Sequence, residues 1–176
     1  MPKVKFIADS ACDISKEAEE RYNIDILPIT ILQGDHQYKD RKDFTIEEFY
    51  QKMYEWDPLP TTSQVTPPMF LSAYRKAKEE GYDTIITVCL NSKASGTYQS
   101  ACIAKEMFED DEGSENIRLE VIDSGTYSYL IGIPLEDAAK MVEEGTDVDT
   151  AIAYMKERFQ LVHAYAIVYT LDFLKR

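Results

Sequence analysis

Hydroxyl side chains and a glycine are concentrated just after an apolar run at residues 84–90. The sequence there, at residues 91–101, is Asn-Ser-Lys-Ala-Ser-Gly-Thr-Tyr-Gln-Ser-Ala, and a helix is expected to begin within it. The first N–H groups of a helix have no partner inside the helix and carry partial positive charge, so they favour a negatively charged ligand. The residue types and their position therefore predict a binding site for a small anionic head group.

Two other apolar runs end in similar polar residues, an Asp-Ser pair at 9–10 and another at 123–124. Because ligands in open parallel sheets bind beyond the carboxyl ends of the strands, we expect both pairs to lie at the same edge as residues 91–101. The Thr-Thr-Ser loop at 61–63 precedes a predicted helix and could lie at this edge too. Ser, Thr and Asp are also ordinary helix N-caps, so a structural role competes with a ligand role at each position.

Motifs for other chemistries are scarce in the sequence. The two histidines, His36 and His163, accompany no Gly-x-Ser-x-Gly motif and no cysteine or carboxylate at zinc-ligand spacing, which argues against a hydrolase triad and a zinc site. The glycine-rich motifs of nucleotide-binding loops are also absent from it. Three carboxylates, Asp9, Asp13 and Asp123, could form a metal or acid–base cluster. A metal-dependent phosphotransferase or hydrolase is therefore the alternative function, although helix capping also explains each carboxylate.

The composition is acidic, with 19 Lys and Arg against 32 Asp and Glu and a formal net charge of −13. Phosphate backbones and anionic membrane surfaces would repel such a chain, so nucleic acid is not expected as a partner. No apolar run is long enough to span a bilayer, and integral membrane association is not expected. The three cysteines lack Cys-x-x-Cys spacing, which is typical of reduced thiols and favours a cytoplasmic location.

Apolar runs alternate with helical patterns along the chain. Strands are predicted at residues 4–8, 25–32, 84–90, 117–122 and 164–169, with Pro28 marking a sheet edge or a bulge, and a turn is predicted at 33–37. Helices are predicted at residues 15–22, 45–56, 66–80, 96–108, 135–144 and 147–159, and a capping box opens the second of them. This alternation predicts an α/β fold in which a parallel sheet lies between two layers of helices.

Taken together, the motifs resemble those of the DegV family of bacterial fatty-acid-binding proteins. The resemblance rests on residues 9–13, 62–64, 92–101, 121–124 and 170–175, which follow the family's order along the whole chain. It implies a three-layer α/β/α N-terminal domain at residues 1–160 and the start of a second, α+β domain at 161–176. It also implies that the ligand lies between the two domains.

The ligand implied by the resemblance is a long-chain fatty acid such as a C16–C18 acid, with its carboxylate hydrogen-bonded by Thr62 and Ser95. The supporting positions at this site are Ser63, Ser92, Gly96, Thr97 and Ser124. Gly96 is expected to allow a close approach. Family members present the bound acid to a separate fatty acid kinase, which makes acyl phosphate for lipid synthesis. The resemblance therefore implies a lipid-binding carrier without catalytic residues, metal or cofactor, rather than an enzyme.

The sequence departs from the family pattern in two ways. Ala94 stands where leucine is usual, Asn91 where serine is usual and Val65 where proline is common, and the smaller Ala94 would widen the acyl tunnel locally. Residues 171–176 should pass into a Gly-Gly-Arg segment of the second domain, most of which would then be missing. An N-terminal domain alone would leave an apolar groove open to water, which predicts weak ligand retention or self-association.

Overall fold

The structure, a computed structural model that describes residues 2–165 and 167, contains seven strands and six α-helices. The strands are β1 (Val4–Asp9), β2 (Asp25–Leu27), β3 (Thr30–Gln33), β4 (His36–Lys39), β5 (Thr61–Ser63), β6 (Thr84–Cys89) and β7 (Arg118–Asp123). The helices are α1 (Lys16–Arg21), α2 (Ile46–Glu55), α3 (Pro67–Glu79), α4 (Thr97–Glu109), α5 (Tyr129–Glu143) and α6 (Val148–Leu161). The predicted strand at 164–169 and the motif at 170–175 lie largely or wholly outside the described residues.

A four-stranded parallel sheet with the order β2–β1–β6–β7 forms the core. All six residues of β6 are buried, because helices cover both faces of the sheet. One apolar cluster joins the sheet to α1, α5 and α6, and a second joins its other face to α3 and α4. The predicted α/β fold is therefore confirmed, and the carboxyl ends of the parallel strands lie at one edge.

The single strand predicted at residues 25–32 is wrong, because two strands of different sheets occupy this segment. β2 ends at Leu27 and pairs with β1, whereas β3 begins at Thr30 and pairs antiparallel with β4 and β5. Pro28 separates them, since proline has no N–H to donate to a sheet ladder. The predicted turn at 33–37 is shorter than expected, and the predicted loop at 61–63 is the strand β5.

Residues 30–63 form a separate outer unit that contains the sheet β4–β3–β5 and α2. The predicted capping box is confirmed, because the Thr45 hydroxyl accepts the Glu48 N–H and the Glu48 carboxylate accepts the Thr45 N–H. No residue of α2 is buried. The unit has a small aromatic cluster of its own, formed by Tyr38, Phe44, Phe49 and Trp56.

Helix α5 begins at Tyr129, six residues before the predicted start at residue 135. Pro134 lies inside the helix and does not end it, since Ile131 and Leu135 on either side are fully buried against the sheet. Gly132 allows the helix to approach the turn after β1, where an added Cβ would lie 2.5 Å from the Cys12 carbonyl oxygen. Tertiary packing therefore extends this helix beyond its sequence pattern. Within residues 2–165 and 167, no helix has the length and apolar character needed to cross a membrane.

Candidate functional site

The polar residues after β1, β6 and β7 meet at the carboxyl edge of the parallel sheet, as predicted. The Leu90 N–H donates to Asp9 Oδ2 at 2.8 Å, which ties the end of β6 to the end of β1. The Ser92 N–H donates to Asp123 Oδ1 at 3.1 Å and ties the same loop to the end of β7. Two carboxylates therefore organise the backbone of this edge.

Asp9 is a buried structural carboxylate with 1% of its surface exposed. Burial raises the pKa of Asp9 from 3.8 to about 6, although hydrogen bonds from the Leu90 and Ala11 N–H groups oppose this rise. Both Asp9 oxygens accept backbone hydrogen bonds, one from Ala11 and one from Leu90. Asp9 therefore stabilises the turn after β1.

The alternative cluster of Asp9, Asp13 and Asp123 has no geometric support. Asp13 accepts a hydrogen bond of 2.5 Å from the Ser128 hydroxyl, and Asp123 accepts the N–H groups of Ser92 and Gly125. In the part of the chain that the structure describes, no three His, Cys, Asp or Glu side chains are placed to hold one metal ion. Each carboxylate therefore acts in a separate turn.

The loop between β6 and α4 is a tight turn built on Asn91. The Asn91 side-chain oxygen accepts the Lys93 N–H at 2.9 Å, and its carbonyl oxygen accepts the N–H groups of Ala94 and Ser95. Asn91 thus turns the chain so that Ser95 arrives at the first turn of α4. The predicted strand–turn–helix junction is confirmed.

Ser95 is half-buried, and its hydroxyl belongs to a short chain of hydrogen bonds. The Val65 N–H donates to Thr97 Oγ1 at 3.4 Å, and Thr97 Oγ1 lies 2.9 Å from Ser95 Oγ. Ser95 Oγ also accepts the Thr97 N–H at 3.2 Å. If Thr97 donates its hydroxyl proton to Ser95, the Ser95 proton remains available for an acceptor outside the turn. Thr97 is fully buried, so its hydrogen bonds hold the Ser95 hydroxyl from the interior side.

Thr62 lies on β5, in the outer unit, and is exposed. It pairs with Ile31 of β3, and Ser63 pairs with Thr30. The chain then continues through Gln64, whose amide nitrogen donates to the Ser100 hydroxyl of α4 at 2.9 Å. Segments carrying Thr62 and Ser95 are therefore joined directly, although they are far apart in sequence.

Gln64 also explains the glycine at position 96. A Cβ added to Gly96 would lie 2.1 Å from the Gln64 side-chain oxygen and 2.9 Å from its nitrogen. Gly96 therefore allows a close approach of Gln64. In the sequence, Gln64 stands out only as part of the motif at residues 62–64, and the glycine at position 96 is the one signal of a tight contact.

The remaining predicted positions lie in turns at the same edge. Ser92 is exposed, and its N–H contacts Asp123. Ser124 has 2% of its surface exposed, and its hydroxyl accepts the Thr126 N–H at 3.2 Å. These bonds give both serines structural roles, and a ligand role for either stays a prediction.

A cavity of about 590 Å³ lies between the outer unit and the core. Its apolar lining includes Phe44, Ile46, Phe49, Tyr50 and Tyr129. Since Tyr129 begins α5, which follows β7, the cavity lies on the same side of the molecule as the carboxyl edge of the sheet. The charged residues Asp13, Lys16, Asp40 and Arg41 also line the cavity, so the edge combines hydroxyl donors with a nearby space of mixed character.

The chain resembles known proteins over its whole length. The family model described as "Uncharacterised protein, DegV family" matches residues 3–176. A DegV domain-containing protein of Clostridium perfringens is 38% identical over 149 residues, which make up 85% of this chain and 51% of the relative. The chain thus spans about half the length of this relative.

Solved structures share the fold. A DegV lipid-binding protein of Thermotoga maritima is 34% identical, with a TM-score of 0.79 over 90% of this chain and 54% of that one. A second Thermotoga maritima protein, described as revealing a fatty-acid-binding function, is 33% identical, with a TM-score of 0.80 over 91% of this chain and 56% of that one. These findings confirm the resemblance inferred from the motifs: the chain belongs to the DegV family.

Proposed function

We propose that this chain binds a long-chain fatty acid and holds its carboxylate with the hydroxyl groups of Thr62 and Ser95. The observation that carries the proposal is the contact between the residues directly after β5 and the first turn of α4, which brings the two hydroxyl-bearing segments together. The related Thermotoga maritima protein with a fatty-acid-binding function supports the choice of ligand.

The electrostatics of the edge suit a carboxylate. The net charge of −13 repels anions at long range, so the ligand needs donors at short range. A helix N-terminus supplies partial positive charge, and hydrogen bonds to an ionised oxygen are stronger than those between neutral groups. The Ser95 hydroxyl and the exposed Thr62 hydroxyl would supply these short-range donors by donating hydrogen bonds to the carboxylate.

The acyl tail would lie along the apolar side chains of the cavity beside the carboxyl edge. Burying each methylene contributes about 0.8 kcal/mol, so a long chain gains more from this cavity than from any single hydrogen bond. The aromatic rings of Phe44, Phe49 and Tyr129 would supply much of the contact. Affinity would then come from the tail, and the orientation of the acid from the carboxylate.

The chain would act as a carrier that presents the acid to a separate fatty acid kinase. The family resemblance supports this step, and an anchored carboxylate at a surface edge is compatible with transfer to a second protein. The chain spans about half the length of the relatives it matches, and the family resemblance implies that the other half of such proteins contributes to the head-group pocket.

Binding of palmitate to the purified chain, measured by isothermal titration calorimetry, tests the proposal. Thr62→Ala and Ser95→Ala should each lose about 1–3 kcal/mol of binding free energy, because each removes a charge-assisted hydrogen bond. Thr61→Ala, in the same short strand, is the matched control and should bind like the wild type. Absence of palmitate binding, or unchanged affinity in both site variants, would contradict the proposal. Native mass spectrometry of the purified chain should also detect co-purified fatty acid.

A further inference from the structure

We propose that Gln64 is a positioning residue for the carboxylate site. Its side-chain amide, seated against Gly96 and hydrogen-bonded to Ser100, fixes β5 on the first turn of α4. In this way it sets the separation between the hydroxyls of Thr62 and Ser95. The inference rests on the proposed function and assigns a role to a side chain that does not itself contact the carboxylate.

The Gln64 amide occupies space that is free because position 96 is a glycine. Gly96 has φ −74°, an ordinary value that any residue adopts, so backbone conformation does not require glycine there. The seated Gln64 amide does require it, because an added Cβ would lie 2.1 Å, 2.7 Å and 2.9 Å from three of its atoms. A side chain at position 96 and the Gln64 amide cannot occupy this place together.

The hydrogen bond to Ser100 extends the same contact along α4. Gly96 and Ser100 are four residues apart, so they lie on one face of the helix, one turn from each other. The Gln64 nitrogen donates to the Ser100 hydroxyl at 2.9 Å, and Ser100 has 2% of its surface exposed. The amide group therefore spans the first turn of α4.

Because Gln64 is close in sequence to Thr62, its contact with α4 can fix the position of Thr62 relative to Ser95. Gln64 follows Thr62 by two residues, and Gly96 directly follows Ser95. One further bond, from the Val65 N–H to Thr97 Oγ1, joins the two segments, and at 3.4 Å it is long. Without the Gln64 contact, β5 would be held by its pairing with β3 in the exposed outer unit and by the burial of Val65, two residues beyond the strand. Two hydroxyls that bind one carboxylate must each lie within about 0.5 Å of the position that binding requires. A loosely held β5 would therefore weaken binding of the head group.

Substitutions on either side of the contact test this role. Gln64→Ala removes the amide, and Gly96→Ala displaces it, because the flexible end of Gln64 moves more easily than backbone. Each should weaken palmitate binding about tenfold, the effect of losing one charge-assisted hydrogen bond. The double variant should lose no more than either single variant, since both act on one contact. Gln99→Ala, an exposed glutamine in the first turn of α4, is the matched control.

Comparison with 1-hexadecanol separates positioning from general stabilisation. The alcohol has the same tail as palmitate but no carboxylate, so its affinity should be equal in the wild type, Gln64→Ala and Gly96→Ala. Equal loss of acid and alcohol binding would overturn the positioning role, because it would indicate damage to the cavity. Additive losses in the double variant would overturn it as well.

The outcomes also distinguish this inference from the function on which it rests. A wild-type chain that does not bind palmitate overturns both. Weaker binding in Thr62→Ala with unchanged binding in Gln64→Ala overturns the positioning role alone. If Gln64→Ala does not fold, as judged by circular dichroism, Ser100→Ala removes the hydrogen-bond partner without changing β5. That variant should then show the selective loss of acid binding, and normal acid binding in it would refute the inference.

Discussion

The core sheet and the outer unit differ in how much of their side-chain surface is buried. In the core, every residue of β6 is buried and helices cover both faces of the sheet. In the outer unit, Ile31 is the one buried residue of residues 30–63. Large apolar side chains on α2 are open to water, with 70% of Ile46, 58% of Tyr50 and 92% of Tyr54 exposed. Burial of apolar surface therefore stabilises the core far more than the outer unit.

This difference matters because the candidate site draws on both regions. Ser95 lies at the start of α4, which packs on the core sheet, whereas Thr62 lies on a strand of the outer unit. In the proposed function, a hydroxyl from the well-buried core and one from the largely exposed outer unit would share one carboxylate. The contact between Gln64 and α4 is where the two regions are joined at the site. The comparison can be tested by perturbing each region separately.

The largest effect is expected from a cavity in the core. Leu135→Ala removes a fully buried side chain that packs against the sheet, and it should lower the free energy of unfolding by about 2–5 kcal/mol. Tyr54→Ala in the outer unit, where the side chain is 92% exposed, should change it by less than about 0.5 kcal/mol. Urea denaturation followed by circular dichroism gives both values. Similar losses in the two variants would show that the regions do not differ as described.

The second effect is a pH dependence that belongs to the core. Burial raises the pKa of Asp9 to about 6, so the folded state holds this proton more tightly than the unfolded state does. The contribution of protonated Asp9 is complete below about pH 4 and is lost as the pH rises through about 6. From a shift of about two pKa units, the free energy of unfolding should fall by about 3 kcal/mol over this range.

Asp9→Asn is the variant that assigns this fall to one residue. Asparagine cannot ionise, so the decrease between about pH 4 and 6 should be much smaller in the variant. Among exposed carboxyls, hydrogen bonds from Thr45 lower the pKa of Glu48 in the outer unit, and those from Arg75 lower the pKa of Asp111. Their contributions have the opposite sign and are lost at lower pH. If the free energy of unfolding depended on pH in the same way in Asp9→Asn, the decrease would have to be assigned to another group.

The same contrast explains which elements the sequence could predict. Strands β1 and β6 are predicted to within about a residue, because strands buried on both faces are rich in apolar and β-branched residues. Strands β4 and β5, with the sequences His-Gln-Tyr-Lys and Thr-Thr-Ser, are polar and mostly exposed. They are strands because β3 pairs with them, and a pairing partner leaves no local pattern.

The site shows the same limit. The strand–turn–helix junction that contains Ser95 was predicted, since an apolar run, turn residues and a helix follow one another in sequence. The contact of Gln64 with Gly96 and Ser100 joins positions more than thirty residues apart. No spacing rule connects them, and an ordinary φ at Gly96 shows that its role is spatial. Residues that position a site through tertiary contacts are therefore the part that one sequence does not reveal.

The third effect is early unfolding of the outer unit. Trp56, the one tryptophan of the chain, packs against Tyr38, Phe44 and Phe49 within this unit. Its fluorescence should therefore change at lower urea concentration than the circular dichroism, which five helices of the core dominate. The separation reports how much less free energy the outer unit needs to open than the core needs to unfold. Coincident transitions would show that the two regions unfold as one unit.

The smallest effect is a helix cap that should act on one region only. Thr45→Ala removes the side-chain oxygen that accepts the Glu48 N–H, which should destabilise α2 by about 1 kcal/mol. Because α2 buries no residue against the core, this loss should shift the Trp56 transition and leave the circular dichroism transition nearly unchanged. Ser15→Ala removes the equivalent cap of α1, which packs on the core sheet through Ala18. That matched variant should shift the circular dichroism transition, so a pair of caps of similar strength would report separately on the two regions.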